Sequence, residues 1–343
     1  MEGVATGERE VRPEFTGSAS EYFRIWIVNL FFTLATLGIY SPWAKVRKKR
    51  YFYGSTRFDG DTFDYFGNPK QILRGRIVAF AVFVAYVLSS ELYPGAELAF
   101  WVVGFVMFPW LAVRALNFNA RNSAWRGLRF DFAATTGQAA RAYNLRLVVV
   151  ALTAGLAWPW FMARQKEFVV SHHAFGMTQL RCKVSAREFF RVYLRAAGIV
   201  IGLVVPLYAL MSFAPLVMSV AYFWIQTLIF VSALYVSYAV AYAYVQARTA
   251  NLVWNSTTAD GVRFSSSLQA WPLAKIYIGN FLAAAVSLGL LIPWGAVRAL
   301  RYRLENFTVT VASERPHLAN PALAQVGATG QEFGDFFNLD IGV

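Results

Sequence analysis

Apolar positions gather into seven runs, at roughly 22–43, 72–92, 97–118, 143–163, 196–214, 217–246 and 276–297. A helix needs about 20 apolar residues to cross the hydrocarbon of a bilayer. Each run comes near that length once its terminal charges snorkel to the interface. Residues 196–247 carry no charged side chain, which fits two membrane helices turning near Pro215 and no pair of globular core helices. Between the runs, Gly-x-x-Phe or a near relative opens short alternating stretches, at Gly60/Phe63, Gly127/Phe130 and Gly261/Phe264. Those stretches read as strands. The pattern predicts an all-α polytopic membrane protein with internal repeats and short cytoplasmic β segments.

Charge orients the runs. The connection SSELYPGAEL carries two Glu and no Lys or Arg, and SFAPLVMSV carries no charge. Basic residues fill the others: KVRKKR at 45–50, Arg114 to Arg129, Arg164 to Arg195, Arg248 with Arg263, and Arg298 to Arg303. By the positive-inside bias the first two face outward and the rest face the cytoplasm. Seven simple crossings conflict with this, because a single apolar run separates Arg114 from Arg164. Four spans, the second, third, fifth and sixth runs, resolve the conflict as two hairpins. The first, fourth and seventh runs then enter and return on the cytoplasmic side, with transmembrane crossing by all seven as the competing topology.

A repeat underlies the layout. Four runs end alike: Pro42-Trp43 then Arg47, Pro109-Trp110 then Arg114, Pro159-Trp160 then Arg164, and Pro293-Trp294 then Arg298. A degenerate copy reads Ala243-Tyr244 then Arg248. Trp leads Arg by four residues, so both lie on one helical face. Eight residues after each Arg stands Ser55, Asn122, His172, Ser256 or Asn306. The first, fourth and seventh runs add a glycine four residues before the proline, at Gly38, Gly155 and Gly289, a recipe for a helix break. The chain divides into a cytoplasmic N-terminal segment 1–20, a membrane domain 21–312 and an acidic, aromatic tail 313–343. The membrane domain holds tandem units at about 21–140 and 141–265, plus a terminal half-unit 266–312.

Composition narrows the function classes. The chain is 57% hydrophobic and only 15% charged, against about 25% charged for soluble domains. Its net charge of +13 sits at the edges of apolar runs, as for attraction to anionic lipid headgroups, and not on a solvated groove for nucleic acid. The polar N-terminus lacks the apolar core and small-residue cleavage site of a secretory signal. No acidic residue lies within an apolar run; Glu91 and Glu97 stand at the ends of two. A buried acid would mark ion coupling, so the coupled-transporter reading weakens.

Trp43, Arg47, Trp110, Arg114, Trp160, Arg164, Trp294 and Arg298 form the candidate site. Trp suits the headgroup level and the arginine one turn on reaches phosphate. They read as a repeated interfacial anchor or, more sharply, as arginines converging on one anionic site. His172-His173 with Glu167 and Cys182 is the only metal-like grouping, without zinc spacing, and the histidines read as structural hydrogen-bonding groups. Gly198 and Gly202 form a GxxxG that predicts close helix packing. Asn29, Gln226 and Asn280 predict interhelical hydrogen bonds. No catalytic, cofactor or metal residue is assigned, because P-loop, HExxH and GxSxG patterns and paired carboxylates are missing.

The run NLFFTLATLGIYSPWAKVRKKRYFYGSTRFDGDTFDYFG, with the terminal GQEFGDFFNLDIGV, resembles the YjgN-like family of bacterial inner-membrane proteins, a domain of unknown function. The resemblance extends over nearly the whole chain. It implies a multi-pass protein of a bacterial inner membrane and brings no established activity or site residues. Two functions remain from the residues. One is a membrane scaffold or regulatory protein whose basic cytoplasmic face binds anionic lipid or a partner, with Glu332, Asp335, Asp340 and the interleaved phenylalanines of the tail as a protein-docking motif. The other is a transporter or lipid-translocating protein built on re-entrant repeats.

Overall fold

A computed structural model describes residues 8–212 and 220–312. The predicted turn near Pro215 and the tail 313–343 lie outside the described residues. Four helices are long and apolar enough to cross a membrane: α3 (Pro69–Leu92), α4 (Ala96–Arg121), α8 (Ala186–Ser212) and α9 (Val220–Asn255). They correspond to the four spans expected from charge. Pro109 lies inside α4 and Pro206 inside α8.

The other three runs fold differently. The first becomes α1 (Ala19–Ala35) and α2 (Ser41–Gly54), and the seventh becomes α10 (Ala270–Val286) and α11 (Ile292–Glu305). The fourth becomes α5 (Thr136–Ala140), a π-helical turn over Arg141–Leu145, α6 (Arg146–Leu152) and α7 (Trp158–Ser171). Each break holds two successive left-handed residues: Leu37 and Gly38, Ala154 and Gly155, Leu288 and Gly289. The glycine N–H closes the upstream helix, from Gly38 to the Thr33 carbonyl (2.7 Å), Gly155 to Val150 (2.8 Å) and Gly289 to Ala284 (2.7 Å). This is a glycine C-cap. Pro42, Pro159 and Pro293 then occupy the first turn of the following helix, where a missing N–H is harmless. Glycine therefore makes the break and proline starts the next helix.

The class expected from sequence needs correction at the strands. The short β segments are not isolated hairpins on an all-α protein; they assemble into a sheet of seven and a sheet of five. In the seven-stranded sheet the order is β2 (Glu14–Phe15), β3 (Thr56–Phe58), β4 (Asp61–Tyr65), β5 (Ser123–Trp125), β6 (Leu128–Phe132), β7 (His173–Phe175) and β8 (Thr178–Gln179). In the five-stranded sheet it is β1 (Arg9–Val11), β12 (Phe307–Val311), β11 (Val262–Ser266), β10 (Thr257–Ala259) and β9 (Arg181–Cys182). Only Arg12-Pro13 separates β1 from β2, and only Leu180 separates β8 from β9. The strand order thus returns to its start, with Arg9 opposite Val311. The helices follow suit, since each pair packs on its neighbour and α1 packs on α11.

Local chemistry makes these strands. Asp59-Gly60 and Arg126-Gly127 both have positive φ, the two-residue turn whose twist matches paired strands. Cross-strand partners Phe63 and Trp125, Phe130 and Phe175, and Phe264 and Val309 share one apolar face. Helix ends cover it: Tyr53 lies 5.6 Å from Tyr65, Phe168 6.0 Å from Phe132 and Trp254 5.9 Å from Phe264, between ring centroids.

Candidate functional site

The helices before the hairpins carry the candidate residues. Arg114 lies over the Trp110 ring at 5.2 Å and Arg298 over Trp294 at 5.1 Å, each one turn along its own helix. Arg248 lies over Tyr244 at 5.9 Å in the degenerate copy. Such cation–π contacts are worth about 0.5–1 kcal/mol where exposed. The first copy shifts: Arg47 sits over Tyr40 at 5.8 Å, while Tyr40 stacks on Trp43 at 6.0 Å. The third copy exchanges partners. Arg164 Nη1 donates to Glu167 Oε2 at 2.6 Å, and Trp160 receives Arg146 from α6 at 5.8 Å. Arg47, Arg114, Arg164 and Arg298 thus have different partners: Tyr40, Trp110, Glu167 and Trp294.

The polar residue eight positions after the arginine caps a helix. Asn122 Nδ2 donates to the Phe118 carbonyl and Asn306 Nδ2 to Tyr302, both at 2.8 Å. His172 Nδ1 bonds the Phe168 carbonyl at 2.8 Å, and Ser256 Oγ bonds that of Leu252. Carbonyls in the last turn of a helix run short of backbone donors, which these side chains supply. His173 Nδ1 likewise takes the Val169 carbonyl at 2.7 Å. The Cys182 thiol is buried and free, and burial pushes it up from its ordinary value.

Other sequence expectations divide. Asn280 Nδ2 donates to the Gly295 carbonyl at 2.9 Å, joining α10 to α11. Gln226 makes no hydrogen bond among the described residues. The GxxxG expectation is corrected: a Cβ at Gly198 or Gly202 would meet open space, so neither glycine packs a helix closely within this chain.

Sequence reading missed several groups. Thr36, Thr153 and Ser287 stand two residues before the break glycines and span the breaks. Thr36 Oγ1 donates to the Phe32 carbonyl (2.7 Å) and accepts from Tyr40 N–H (2.9 Å). Thr153 bonds Val149 and Ala157, and Ser287 bonds Ala284 and Leu291, in the same way. Hydroxyl-x-glycine was the legible signal. Lys49 Nζ donates to Asn119 Oδ1 at 3.0 Å, joining α2 to α4. Lys166 on α7 lies near Arg303 of α11, and burial with that charge pushes its ammonium down. Nothing local marks these pairs, because their members are far apart along the chain.

A family model described as bacterial protein of unknown function (DUF898) matches residues 10–336. The inner membrane protein YjgN of Salmonella typhimurium strain LT2 is 32% identical over 122 residues, 34% of this chain and 30% of that protein. YjgN of Escherichia coli O157:H7 is 30% identical over 119 residues, again 34% of this chain and 30% of the relative. YjgN of Escherichia coli K12 is 29% identical over 119 residues, with the same shares. The chain therefore spans less than a third of the length of the curated relatives it matches. No solved structure matches it.

Proposed function

Because the chain belongs to the DUF898 family of bacterial proteins and is a multi-pass inner-membrane protein, we propose a role beyond mere residence in the membrane. It is a scaffold or regulatory protein whose basic cytoplasmic face binds anionic lipid headgroups or a partner. The acidic, aromatic tail 313–343 is the candidate protein-docking segment.

Strand pairing favours the four-span topology. Hairpins pair across segments, β4 with β5, β6 with β7, and β11 with β12, so their loops share one side. Segments between such partners cross twice or return. The three broken segments return, on this reading, as shallow re-entrant pairs repeated around the ring. Gly38 precedes Trp43 by only five residues, so the tip lies close to the tryptophan along the chain. The tips are apolar and bare, Leu37 95% exposed and Leu288 94%, which suits acyl chains and not water.

The observation that carries the lipid reading is the Trp–Arg stack at the start of the basic face, at 5.2 Å in α4 and 5.1 Å in α11. On this reading the stack holds a guanidinium at the level of lipid phosphates. Native mass spectrometry of the detergent-purified chain tests it. Wild type should retain phosphatidylglycerol over phosphatidylcholine, and Arg47→Ala/Arg114→Ala/Arg298→Ala should lose that preference while still folding. Equal retention of both lipids by wild type refutes the reading.

A transporter or lipid-translocating role is the second reading, favoured by helix breaks of one geometry at Gly38, Gly155 and Gly289. Broken helices in repeated positions are characteristic of transport sites. A fluorescent-lipid scrambling assay in proteoliposomes separates the two.

A further inference from the structure

The position nine residues before each break glycine is polar in all three broken segments: Asn29, Arg146 and Asn280. At each of them a side-chain atom is buried without a hydrogen-bond partner among the described residues: Asn29 Oδ1, Arg146 Nη1 and Asn280 Oδ1. Two of the three are neutral amide acceptors, for which one trapped water suffices. The third is a charged donor on a half-buried arginine, and a charged donor shielded from water without a partner costs more than a neutral acceptor.

No hydrogen bond among the described residues reaches Arg146 Nη1. Arg146 stacks on Trp160, a contact that engages the guanidinium face and leaves its N–H edge to point elsewhere. Arg164 and Glu167 lie within electrostatic reach, but Glu167 is already paired with Arg164 at 2.6 Å. Two guanidiniums thus face one carboxylate. Three residues earlier, Tyr143 is 1% exposed and its hydroxyl is buried. Gln165 of α7 lies beside that hydroxyl.

Backbone geometry holds the two donors there. Tyr143 lies within the π-helical turn and Arg146 just after it, and such turns rotate side chains out of the ordinary register, often at functional sites. Among the described residues this is the only π-helical turn. Asn144 ties it to α4 by donating to the Phe105 carbonyl at 2.6 Å.

We propose that the junction of the π turn and α7 is a binding site for one phosphate-type anion, held by the Arg146 guanidinium edge and the Tyr143 hydroxyl beside Arg164. A phosphate has several acceptor oxygens and one or two charges, which satisfies both donors and balances the surplus arginine. The group comes from a lipid headgroup or from free phosphate. The inference rests on the reading of the basic face as anion-directed, and adds that one unit of the ring holds its ligand specifically.

Arg146→Asn is the decisive variant, since the other two broken segments fold with Asn at this position. Native mass spectrometry should find one anionic phospholipid on wild type that R146N lacks and Arg298→Ala keeps. In a second arm, delipidated protein is titrated with inorganic phosphate and followed by thermal shift. A lipid site loses phospholipid in R146N. A free-phosphate site shows a wild-type shift whose midpoint moves about tenfold or more in R146N. Arg146→Lys, which keeps charge without the fork, should be intermediate in whichever arm responds. If R146N matches wild type in both arms, water fills the site and the proposal fails. If R146N and R298A lose lipid equally and neither alters a phosphate response, binding is diffuse, which overturns this site but not the basic face. A phosphate shift that depends on Arg146, without any lipid preference, would leave the site standing and remove the lipid reading.

Discussion

Lys166 on α7 has its ammonium pushed down by burial first and by the Arg303 charge second. A lysine depressed below its unfolded value penalises the folded state while both states are protonated. As pH climbs from the lowered value toward the ordinary 10.5, the unfolded chain binds more protons and stability rises. Lys166→Met should therefore raise the melting temperature of detergent-purified protein near neutral pH. The gap to wild type should close as pH approaches 10.5. A methionine variant less stable at neutral pH would mean that Lys166 has an anionic partner. Residue-scale roles were partly legible beforehand. The caps at Asn122, His172, Ser256 and Asn306 lie within their own helices and follow from residue type and spacing. The exchange of Arg146 for Arg164 over Trp160 did not follow, because it depends on which helix lands beside α7.

Among elements, the broken pairs offer the sharpest test. Gly155 has φ +89°, which an L side chain adopts only with strain. Gly155→Ala should cost about 1–2 kcal/mol and lower the melting temperature by a few degrees. Gly104→Ala in α4, where a Cβ meets open space and no positive φ is present, should leave it unchanged. Equal effects would show that the break does not require a left-handed glycine. Thr153→Val should also destabilise, by about 1 kcal/mol, since the hydroxyl joins the Val149 carbonyl to the Ala157 N–H. The apolar runs located these elements well, but run length alone could not separate a crossing helix from a returning pair. The difference lies in one glycine and the hydroxyl two residues before it.

For the whole molecule, sheet pairing predicts sidedness. Cys182 is only 6% exposed and its thiol is pushed up by burial, so the native thiol should label slowly even in detergent. Single cysteines placed on a Cys182→Ala background avoid this. Met177→Cys, at a hairpin turn where the side chain is 74% exposed, and Arg57→Cys, at an exposed position of β3, should both resist a membrane-impermeant thiol reagent in intact cells. Both should label after lysis. Tyr93→Cys, between α3 and α4, should label without lysis. Labelling of position 177 from outside would restore seven crossings and contradict the β6–β7 pairing.

Contiguous residues alone were enough to specify the apolar runs, the strand stretches opened by Gly60 and Gly127, the glycine breaks and the repeated Trp–Arg pairs. Each is governed by side chains within about a turn of one another. It took the packed molecule to settle that the strands close into one continuous order and that the first strand pairs with the last, Arg9 opposite Val311. Strand edges carry unpaired N–H and C=O groups that any neighbour can satisfy, so pairing between distant segments is set by the packing of all the helices at once. The same holds at Arg146, whose contact with Trp160 exists only because α6 folds back beside α7.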